Sequence, residues 1–226
     1  MGPFYLLSQV IYTGPQWVTQ LIKRGIDIIF ALIGIIFLLP IMIVVGILIK
    51  IDSKGPIFYR GLRTGLNGKL FKIYKFRTMV VNAEEIGGGT TALNDPRITK
   101  LGNIIRKYKI DELPQLINII KGEMSLVGPR PELYEYTSRY QGDEKLILTI
   151  LPGLSDFSSI VYSSLDEHVG PYNADRIFEE KILPRKNQLR IEYVKEQNLR
   201  HDLVIICKTI HIILSKINNR NKEYGI

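Results

Sequence analysis

The sequence predicts a mostly helical α/β protein in which a membrane helix precedes a small globular domain with a short β-hairpin. Three patterns lead to this fold class: a long apolar run at residues 26–49, alternating apolar and polar residues around a glycine-containing turn at 57–77, and helical periodicity in much of the remaining chain. The 226 residues suit one folded domain plus accessory segments, because a single hydrophobic core usually serves about 100–200 residues.

The apolar run at 26–49 contains a single charged residue and is long enough to cross roughly 30 Å of hydrocarbon. Because Lys23 and Arg24 precede it and Lys50 follows, we interpret it as a retained anchor and not as a cleaved signal peptide. Basic residues at both ends leave the positive-inside rule without a preferred side. A helix that breaks at Pro40 and leaves by the face it entered would satisfy both ends, but a straight or gently kinked spanning helix fits these residues equally well.

The segments beside the anchor are predicted to be an interfacial lead-in and a hairpin. Residues 1–22 combine aromatic and aliphatic side chains with turn-forming residues, a composition typical of the membrane interface. After the anchor, apolar and polar residues alternate at 57–60 and again at 70–77, on either side of a turn between Gly65 and Gly68. This pattern predicts a β-hairpin.

The rest of the chain is predicted to be helical apart from two loops. Residues 83–91 contain three consecutive glycines but no phosphate-loop sequence, so we predict a flexible loop. Residues 125–131 must be extended, because their two prolines cannot continue a helix. Periodicity predicts helices at 99–108, 112–121, 132–140, 174–198 and 203–217, the last of them suited to a membrane surface.

Composition limits the classes of partner and site. Lys and Arg outnumber Asp and Glu by 30 to 22, giving a net charge of +8, which suits a partner that carries phosphates: nucleic acid, an anionic membrane or a phosphorylated small substrate. No motif that reads nucleic acid is recognisable, which disfavours the first of these. Cys207 is the only cysteine, so an intrachain disulfide is impossible, and the three scattered histidines lack the spacing of zinc ligands.

The acidic pair Asp111-Glu112 is the strongest candidate for chemistry. It opens a predicted helix, with Pro114 inside the first turn. Asp is a common N-cap and Glu suits the positive end of a helix dipole, so a structural cap explains the pair by itself. A carboxylate at a helix start also suits an ionised nucleophile beside phosphate-binding amides, and adjacent carboxylates suit Mg²⁺. Both interpretations stay open on these residues alone.

Five basic residues could supply the positive charge that phosphate chemistry requires. Taken singly, such residues are more often solvated surface charges. Arg130 differs because Pro129 and Pro131 restrict its backbone, as a preorganised bidentate phosphate clamp requires. The predicted phosphate-binding residues are Lys75, Arg77, Arg97, Arg106 and Arg130.

A series of sequence motifs occurs in order over roughly residues 20–220. The motifs are Lys23-Arg24-Gly-Ile-Asp27 at the start of the membrane helix, Pro40 within it, Gly55-Pro56-Ile-Phe, Lys75-Phe-Arg-Thr-Met79, Asp95-Pro-Arg-Ile-Thr99, Leu101-Gly, Arg106, Asp111-Glu112-Leu-Pro-Gln-Leu, and Gly122-Glu-Met-Ser-Leu-Val-Gly-Pro-Arg-Pro131. With this series the chain resembles the bacterial sugar transferase family, the monotopic polyprenyl-phosphate phosphoglycosyl transferases.

The resemblance implies a topology and a reaction. It implies a re-entrant membrane helix-break-helix at 23–51, a catalytic domain at 52–200 on the cytoplasmic face of the bacterial inner membrane, and a membrane-associated C-terminal helix and tail at 201–226. The implied reaction transfers a sugar 1-phosphate from a nucleotide diphosphate sugar, usually a UDP-sugar, to undecaprenyl phosphate and releases UMP. This would be the first membrane step of a surface glycan or glycoprotein pathway.

The same resemblance implies roles for the site residues. Asp111 would attack the sugar-linked β-phosphate and form a covalent intermediate, while Glu112 would support metal binding and acid–base work. Mg²⁺ held at these two carboxylates would neutralise the diphosphate charge. Lys75, Arg106 and Arg130 would bind phosphate. The expected partners are the UDP-sugar, undecaprenyl phosphate, membrane lipid and, in a homo-oligomer, further copies of the chain.

Two positions depart from the family pattern. Leu39 stands where many relatives carry Ser before the membrane proline, so a break would rest on Pro40 and packing. After Gly153 the chain reads Leu-Ser-Asp-Phe-Ser-Ser-Ile-Val-Tyr162 in place of a Trp-Ala-Gln segment. Because that loop is expected to help form the sugar or nucleotide pocket, the donor stays undetermined.

The main alternative to an enzyme is a membrane adaptor. Its basic face would bind anionic lipid, and Asp111 would be only a helix cap. This alternative explains the charge and the anchor. It leaves unexplained an arginine held between two prolines and an acidic pair flanked by cations.

Overall fold

The computed structural model describes residues 16–223, and its first element is the long helix α1 (Gln16–Asp52). By length and composition α1 is able to cross a membrane, and only 17% of its most apolar stretch is buried. These features indicate membrane association. Helical structure begins at Gln16, inside the predicted lead-in at 1–22, and the earlier part of that lead-in lies outside the described residues.

Pro40 is the position where the sequence predicted a break. Helical structure continues through it, because a single proline removes one backbone hydrogen bond while the flanking apolar turns keep theirs. The described chain therefore has no interruption at this position. The re-entrant path stays a prediction.

One face of α1 belongs to the hydrophobic core of the globular domain. On the N-terminal side of the proline, Ala31 is buried in a cluster with Ile119 and Met124. On the C-terminal side, Ile49 is buried in a cluster with Phe76. The inward positions recur every three to four residues, as one helix face requires, at 31, 35, 38, 42, 45 and 49.

Polar contacts attach both ends of α1 to the same domain. Near the start of the apolar run, Lys23 Nζ lies 2.6 Å from an Asp202 carboxylate oxygen, and Asp27 accepts a hydrogen bond of 3.1 Å from the backbone N–H of Leu126. At the other end, Arg77 donates to two carbonyls of the last helical turns. The helix is therefore a packed element of the domain and not a detached anchor.

The predicted β-hairpin is confirmed as two short antiparallel ladders. The pairs are β1 (Phe58–Tyr59) with β4 (Lys75–Phe76), and β2 (Leu62–Thr64) with β3 (Leu70–Lys72). A 3₁₀ turn joins the inner strands, and Asn67 and Gly68 adopt left-handed backbone conformations there, with φ of 54° and 77°. The last strand carries Lys75 into the cleft described below.

The remaining elements are short except for the last two helices. In chain order they are α2 (Ala83–Ile86), α3 (Lys100–Lys107), a 3₁₀ turn (Ile110–Glu112), α4 (Gln115–Ile120), β5 (Ser125–Val127), α5 (Tyr134–Thr137), a 3₁₀ segment (Gly142–Thr149), β6 (Gly153–Ser155), α6 (Phe157–Val161), α7 (Leu165–Val169), α8 (Ala174–Ile177), a π-helical turn (Phe178–Ile182), α9 (Leu183–Glu196) and α10 (Leu199–Glu223).

Two of the predicted helices are divided in the structure. The helix expected at 112–121 is a 3₁₀ turn followed by α4, with Pro114 as the N-cap of α4. The helix expected at 174–198 contains a π-helical turn near its start, because Pro184, two residues after that turn, has no N–H to continue the regular ladder. The extended prediction for 125–131 is confirmed, and its first residues form β5, which pairs in parallel with β6.

Candidate active site

An open cleft of about 2360 Å³ is lined by α1, the hairpin, α10 and two connecting segments. We call these segments the Asp111 turn (residues 109–115) and the Arg130 segment (residues 124–132). All the residues predicted to act in catalysis or phosphate binding border this cleft: Lys75, Arg77, Arg97, Arg106, Asp111, Glu112 and Arg130. They differ in whether their polar atoms are already committed to other protein groups.

Asp111 lies in the 3₁₀ turn Ile110–Glu112, directly after Lys109, whose backbone is left-handed with φ of 58°. The N-cap residue is Pro114 for α4 and Lys109 for the 3₁₀ turn, and neither helix start has a capping hydrogen bond from a side chain. The simple cap interpretation of Asp111 is therefore wrong. Its side chain is almost completely buried, and its Oδ1 atom has no hydrogen-bond partner among the described residues.

Glu112 is held by two cations. Its Oε1 atom lies 3.1 Å from Lys75 Nζ and also accepts from Arg130 Nη2. Lys75 Nζ is 4.0 Å from Asp111 Oδ2, so this lysine faces both carboxylates. The side chains of Lys75 and Glu112 retain 22% and 13% exposure, which keeps the cluster in contact with the cleft.

The two neighbouring carboxylates have pKa values shifted in opposite directions. Burial raises the pKa of Asp111 above its ordinary value, against the attraction of Lys75. Burial would also raise the pKa of Glu112, but Arg130 and Lys75 outweigh it and hold that pKa well below the ordinary value. Burial lowers the pKa of Lys75 despite its two acidic neighbours. Glu112 is therefore the fixed counter-ion of the cations, while Asp111 lacks a comparable partner.

The side chain and backbone of Arg130 are both anchored. Its N–H donates a 3.0 Å hydrogen bond to Asp156 Oδ2, and its Nη1 donates a 3.0 Å bond to the carbonyl of Leu154. With Pro129 and Pro131 on either side, the guanidinium has little freedom to lose when it binds an anion. The predicted preorganisation of this arginine thus has a tertiary basis as well as a local one.

A buried charged network supports the Arg130 segment from behind. Glu132 Oε1 lies 3.0 Å from Lys186 Nζ and 2.6 Å from Arg190 Nη2. Arg190 is completely buried, and its Nε lies 3.5 Å from Asp156 Oδ2, an ion pair without hydrogen-bond geometry. Burial opposes ionisation of Glu132, but Lys186 and Arg190 lower its pKa to about 2. The network therefore anchors Asp156, which accepts from the Arg130 N–H, and Glu132, which lies two residues after Arg130.

Sequence reasoning missed Asp156, Glu132, Lys186 and Arg190 as supports of the site. One signal was available. Lys186 and Arg190 are four residues apart and so share a face of the predicted helix at 174–198, and Glu132 immediately follows Pro131. The contact between these regions depends on tertiary packing, which periodicity alone does not give.

Arg77 was predicted to bind phosphate, but the structure gives it a structural role. Its Nε donates to Pro56, its Nη1 to Lys54 and its Nη2 to Ser53 and Ile49, all at backbone carbonyls. Ile49 is in the last turn of α1, and the other three residues lie in the segment that follows the helix. Arg77 therefore joins the end of α1 to that segment, and its phosphate role stays a prediction.

The guanidinium donors of Arg97 are also occupied by protein groups. Its guanidinium pairs with Asp95 at 2.7 Å and donates to the carbonyls of Gly88 (2.7 Å) and Thr90 (3.2 Å), within the loop predicted to be flexible. That loop is also tied by a 2.7 Å bond from Thr90 N–H to Asp175. Arg97 organises this loop, and its phosphate role also stays a prediction.

Arg106 remains available. Its Nη2 donates a 2.8 Å hydrogen bond to the hydroxyl of Thr91, and its side chain borders the cleft. The guanidinium can offer other donors to a ligand. Three of the predicted cations therefore lie around Asp111 and can still bind an anion: Lys75, Arg106 and Arg130.

The donor set near Asp111 fits a magnesium ion that arrives with phosphates. In the part of the chain that the structure describes, no three His, Cys, Asp or Glu side chains form a complete metal cluster. Mg²⁺, however, usually takes one or two protein carboxylates and completes its shell with water and substrate phosphate. The unpartnered Oδ1 of Asp111 suits such a ligand, whereas Glu112 Oε1 is occupied by Lys75 and Arg130.

Comparison with known proteins gives a consistent result. The family model described as bacterial sugar transferase matches residues 18–216. An Aeromonas hydrophila protein named UDP-N-acetylgalactosamine-undecaprenyl-phosphate N-acetylgalactosaminephosphotransferase is 35% identical, covering 91% of this chain and 47% of the relative. An Escherichia coli protein named UDP-glucose:undecaprenyl-phosphate glucose-1-phosphate transferase is 32% identical, covering 85% and 40%. The exopolysaccharide production protein ExoY of Sinorhizobium fredii is 34% identical, covering 83% of each chain.

The chain spans less than half the length of the first two relatives and most of the third. The matched region contains nearly all of α1, the complete Asp111 turn and the complete Arg130 segment. On the extent of this match, the chain belongs to the bacterial sugar transferase family.

Proposed function

We propose that the chain transfers a sugar 1-phosphate from a UDP-sugar to undecaprenyl phosphate, giving a polyprenyl-diphosphate-sugar and UMP. The observation that carries this proposal is the buried Asp111, bordered by the anchored cations Lys75 and Arg130 and by Arg106, in a cleft that α1 also lines. A lipid phosphate and a water-soluble nucleotide could both reach such a cleft. The names of the Aeromonas hydrophila and Escherichia coli relatives support the class of reaction.

In the proposed reaction, a carboxylate oxygen of Asp111 attacks the phosphorus that bears the sugar. The bond from that phosphorus to the bridging oxygen breaks, and UMP leaves with the electron pair. An oxygen of undecaprenyl phosphate then attacks the same phosphorus, and the bond to Asp111 breaks to restore the carboxylate. Lys75, Arg106 and Arg130 bind the phosphate oxygens, and Glu112 fixes two of these cations in place.

Magnesium bound with the diphosphate would neutralise its charge, with Asp111 as the protein ligand and Glu112 beside it. The positions of Lys75 and Arg130 do not depend on it, because both are already held by protein groups. Ser158 and Ser159 also line the cleft, in the segment that departs from the family pattern. We propose that this segment contacts the sugar or the nucleotide and selects the donor.

We further propose that α1 is re-entrant, with the catalytic domain on the cytoplasmic face. Contacts from one globular domain to Lys23 near one end of the apolar run and to Ile49 at the other support a path that enters and leaves by the same face. A break near Pro40 would shorten the depth of insertion. Cysteines introduced near residues 10 and 60, after replacement of Cys207, should both be labelled from the cytoplasmic side. Labelling from opposite sides would overturn the hairpin.

The activity is tested with the full chain in lipid nanodiscs, with Mg²⁺, undecaprenyl phosphate and a panel that includes UDP-glucose and UDP-N-acetylgalactosamine. We expect UMP release with at least one donor. Without the lipid acceptor, we expect one equivalent of UMP and a phosphosugar adduct on the peptide that contains Asp111. Asp111→Asn should abolish both, whereas Asp143→Asn, at an exposed aspartate, should retain both.

Two results would count against the proposal. Undiminished turnover by Asp111→Asn would remove Asp111 as the nucleophile. No UMP release with any donor would favour the adaptor that binds anionic lipid, which sedimentation with anionic vesicles can then measure.

A further inference from the structure

Gln115, the first residue of α4, is completely buried, yet neither polar atom of its side chain has a hydrogen-bond partner among the described residues. An amide in this state lowers the stability of the fold, because it has lost its water without gaining a replacement. Native proteins rarely retain such a group in a core position. Its presence therefore requires an explanation other than packing.

The position of Gln115 relative to Asp111 supplies that explanation. The two residues are four apart, and the chain between them is helical, since Leu113 and Pro114 both have right-handed helical backbones. Residues at this spacing are about one helical turn apart, a separation that an Asp–Gln hydrogen bond can span. Asp111 Oδ1 is also buried without a partner. Three of the four such atoms in the described chain thus belong to these two side chains.

We propose that Gln115 is a positioning residue for Asp111: in the substrate-loaded site its Nε2–H donates a hydrogen bond to Asp111 Oδ1. This bond would fix the plane of the carboxylate and leave Oδ2, the oxygen nearer Lys75, directed at the phosphorus. The role rests on the proposed function, because it concerns the carboxylate that attacks. Gln115 itself touches no substrate, and it does not line the cleft.

The same helix provides a matched control. Asn118 is also completely buried, but its amide is satisfied: Oδ1 accepts from the N–H of Tyr74 at 2.9 Å, and Nδ2 donates to Lys72 O at 2.9 Å and to Glu123 at 2.7 Å. Replacing this amide by an apolar side chain removes three hydrogen bonds. Replacing that of Gln115 removes none of the bonds present in the structure.

The experiment compares Gln115→Met, Gln115→Glu and Asn118→Leu in nanodiscs. We expect Gln115→Met to unfold at the wild-type temperature or a few degrees above it, and Asn118→Leu to unfold at least 5 °C lower. For Gln115→Met we expect kcat to fall at least 10-fold with the KM values for both substrates within 2-fold of wild type. Gln115→Glu has no donor when its carboxyl is ionised, so it should be equally slow in alkaline buffer that ionises it.

Each contrary outcome has a distinct meaning. A Gln115→Met variant with wild-type kcat would overturn the positioning role, as would full activity of Gln115→Glu in buffer that ionises its carboxyl, because no donor would then remain. A loss of thermal stability in Gln115→Met as large as in Asn118→Leu would show that the amide has a structural partner. Failure of the wild-type chain with every donor would overturn the proposed function and this role with it, and is recognised in the wild-type assay alone.

Discussion

The Arg130 segment and the Asp111 turn face the same cleft but differ in how completely their polar groups are satisfied. Along the Arg130 segment, groups from three other parts of the chain form hydrogen bonds: Arg24 and Asp27 of α1, Asp156, and Arg190 and Tyr193 of α9. In the Asp111 turn, Asp111 Oδ1 and both amide atoms of Gln115 have no partner in the described structure.

This difference indicates that the Arg130 segment and the Asp111 turn have different roles in the site. A phosphate-binding wall works best when its donors are fixed before the ligand arrives, because no free energy is then spent on orienting them. A nucleophile needs an oxygen that is not already bonded to the protein. The unsatisfied turn is therefore less stable by itself and more reactive, a pattern common where function opposes stability.

The largest expected effect is a loss of stability at the Arg130 segment, where the polar groups are satisfied. Glu132→Gln removes the charge that pairs with Lys186 and Arg190, so both cations would be buried without a full counter-ion. We expect the free energy of unfolding to fall by about 3 kcal/mol. Denaturant unfolding in detergent measures it, with Glu179→Gln, at a surface pair with Arg139, as a control expected to change stability by less than about 1 kcal/mol.

The same variant has a predicted pH dependence. The pKa of Glu132 is lowered from 4.5 to about 2, so the ionised form stabilises the fold above the unfolded-state pKa. Wild type should lose this contribution as the pH falls from 4.5 towards about 2, whereas Glu132→Gln should lack that part of the acid dependence. Parallel curves for the two proteins would show that Glu132 is not held as described.

A smaller effect is expected for the two arginines beside the cleft. Arg106→Ala should lower kcat/KM by about 10- to 100-fold, the range for removing a charged hydrogen bond, with little change in melting temperature. Arg97→Ala should instead lower the melting temperature, because Arg97 joins Asp95 to the carbonyls of its loop. Equal thermal effects in both variants would remove the distinction between a ligand-binding and a structural arginine.

The smallest expected effect distinguishes two buried aspartates. Burial raises the pKa of Asp111, so its ionisation opposes folding and stability falls as the pH rises through that pKa. Asp111→Asn should therefore increase stability at neutral pH by roughly 1 kcal/mol, or about 2–4 °C in Tm. The pKa of Asp156 is lowered by Arg190 and hydrogen bonds, which outweigh its burial, so Asp156→Asn should decrease stability. Shifts of the same sign would contradict the comparison.

Much of the site could be predicted because its signals are local. The acidic pair, the prolines around Arg130 and the alternating hairpin are each contained within about ten residues, the range over which pattern rules operate. These rules also located the membrane helix. They could not decide its path at Pro40, where helical structure continues, because the consequence of a proline depends on what packs around it.

The features that the sequence could not predict are contacts between distant segments. Arg77 and Arg97 had the right charge for phosphate, but their donors are taken by the end of α1 and by the glycine-containing loop. The parallel pairing of β5 with β6 joins strands separated by the segment that contains α5, and no local pattern marks it. Residues such as Arg190 were missed for the same reason. Charged side chains in a helix are usually exposed, so a buried one cannot be recognised until its ion-pair partners are known.

Because α1 lies close to α4, a displacement of α1 in the lipid bilayer would also move α4, which directly follows the Asp111 turn. A Cβ atom added at Gly34 would lie 3.1 Å from Leu116 Cδ1, and Leu116 directly follows Gln115. On the opposite side of the helix from Gly34, α1 exposes Ile36. Lipids on this outer face are one helix diameter, about 10 Å, from the base of the Asp111 turn. We expect turnover to depend on bilayer thickness and lateral pressure even when both substrates are saturating.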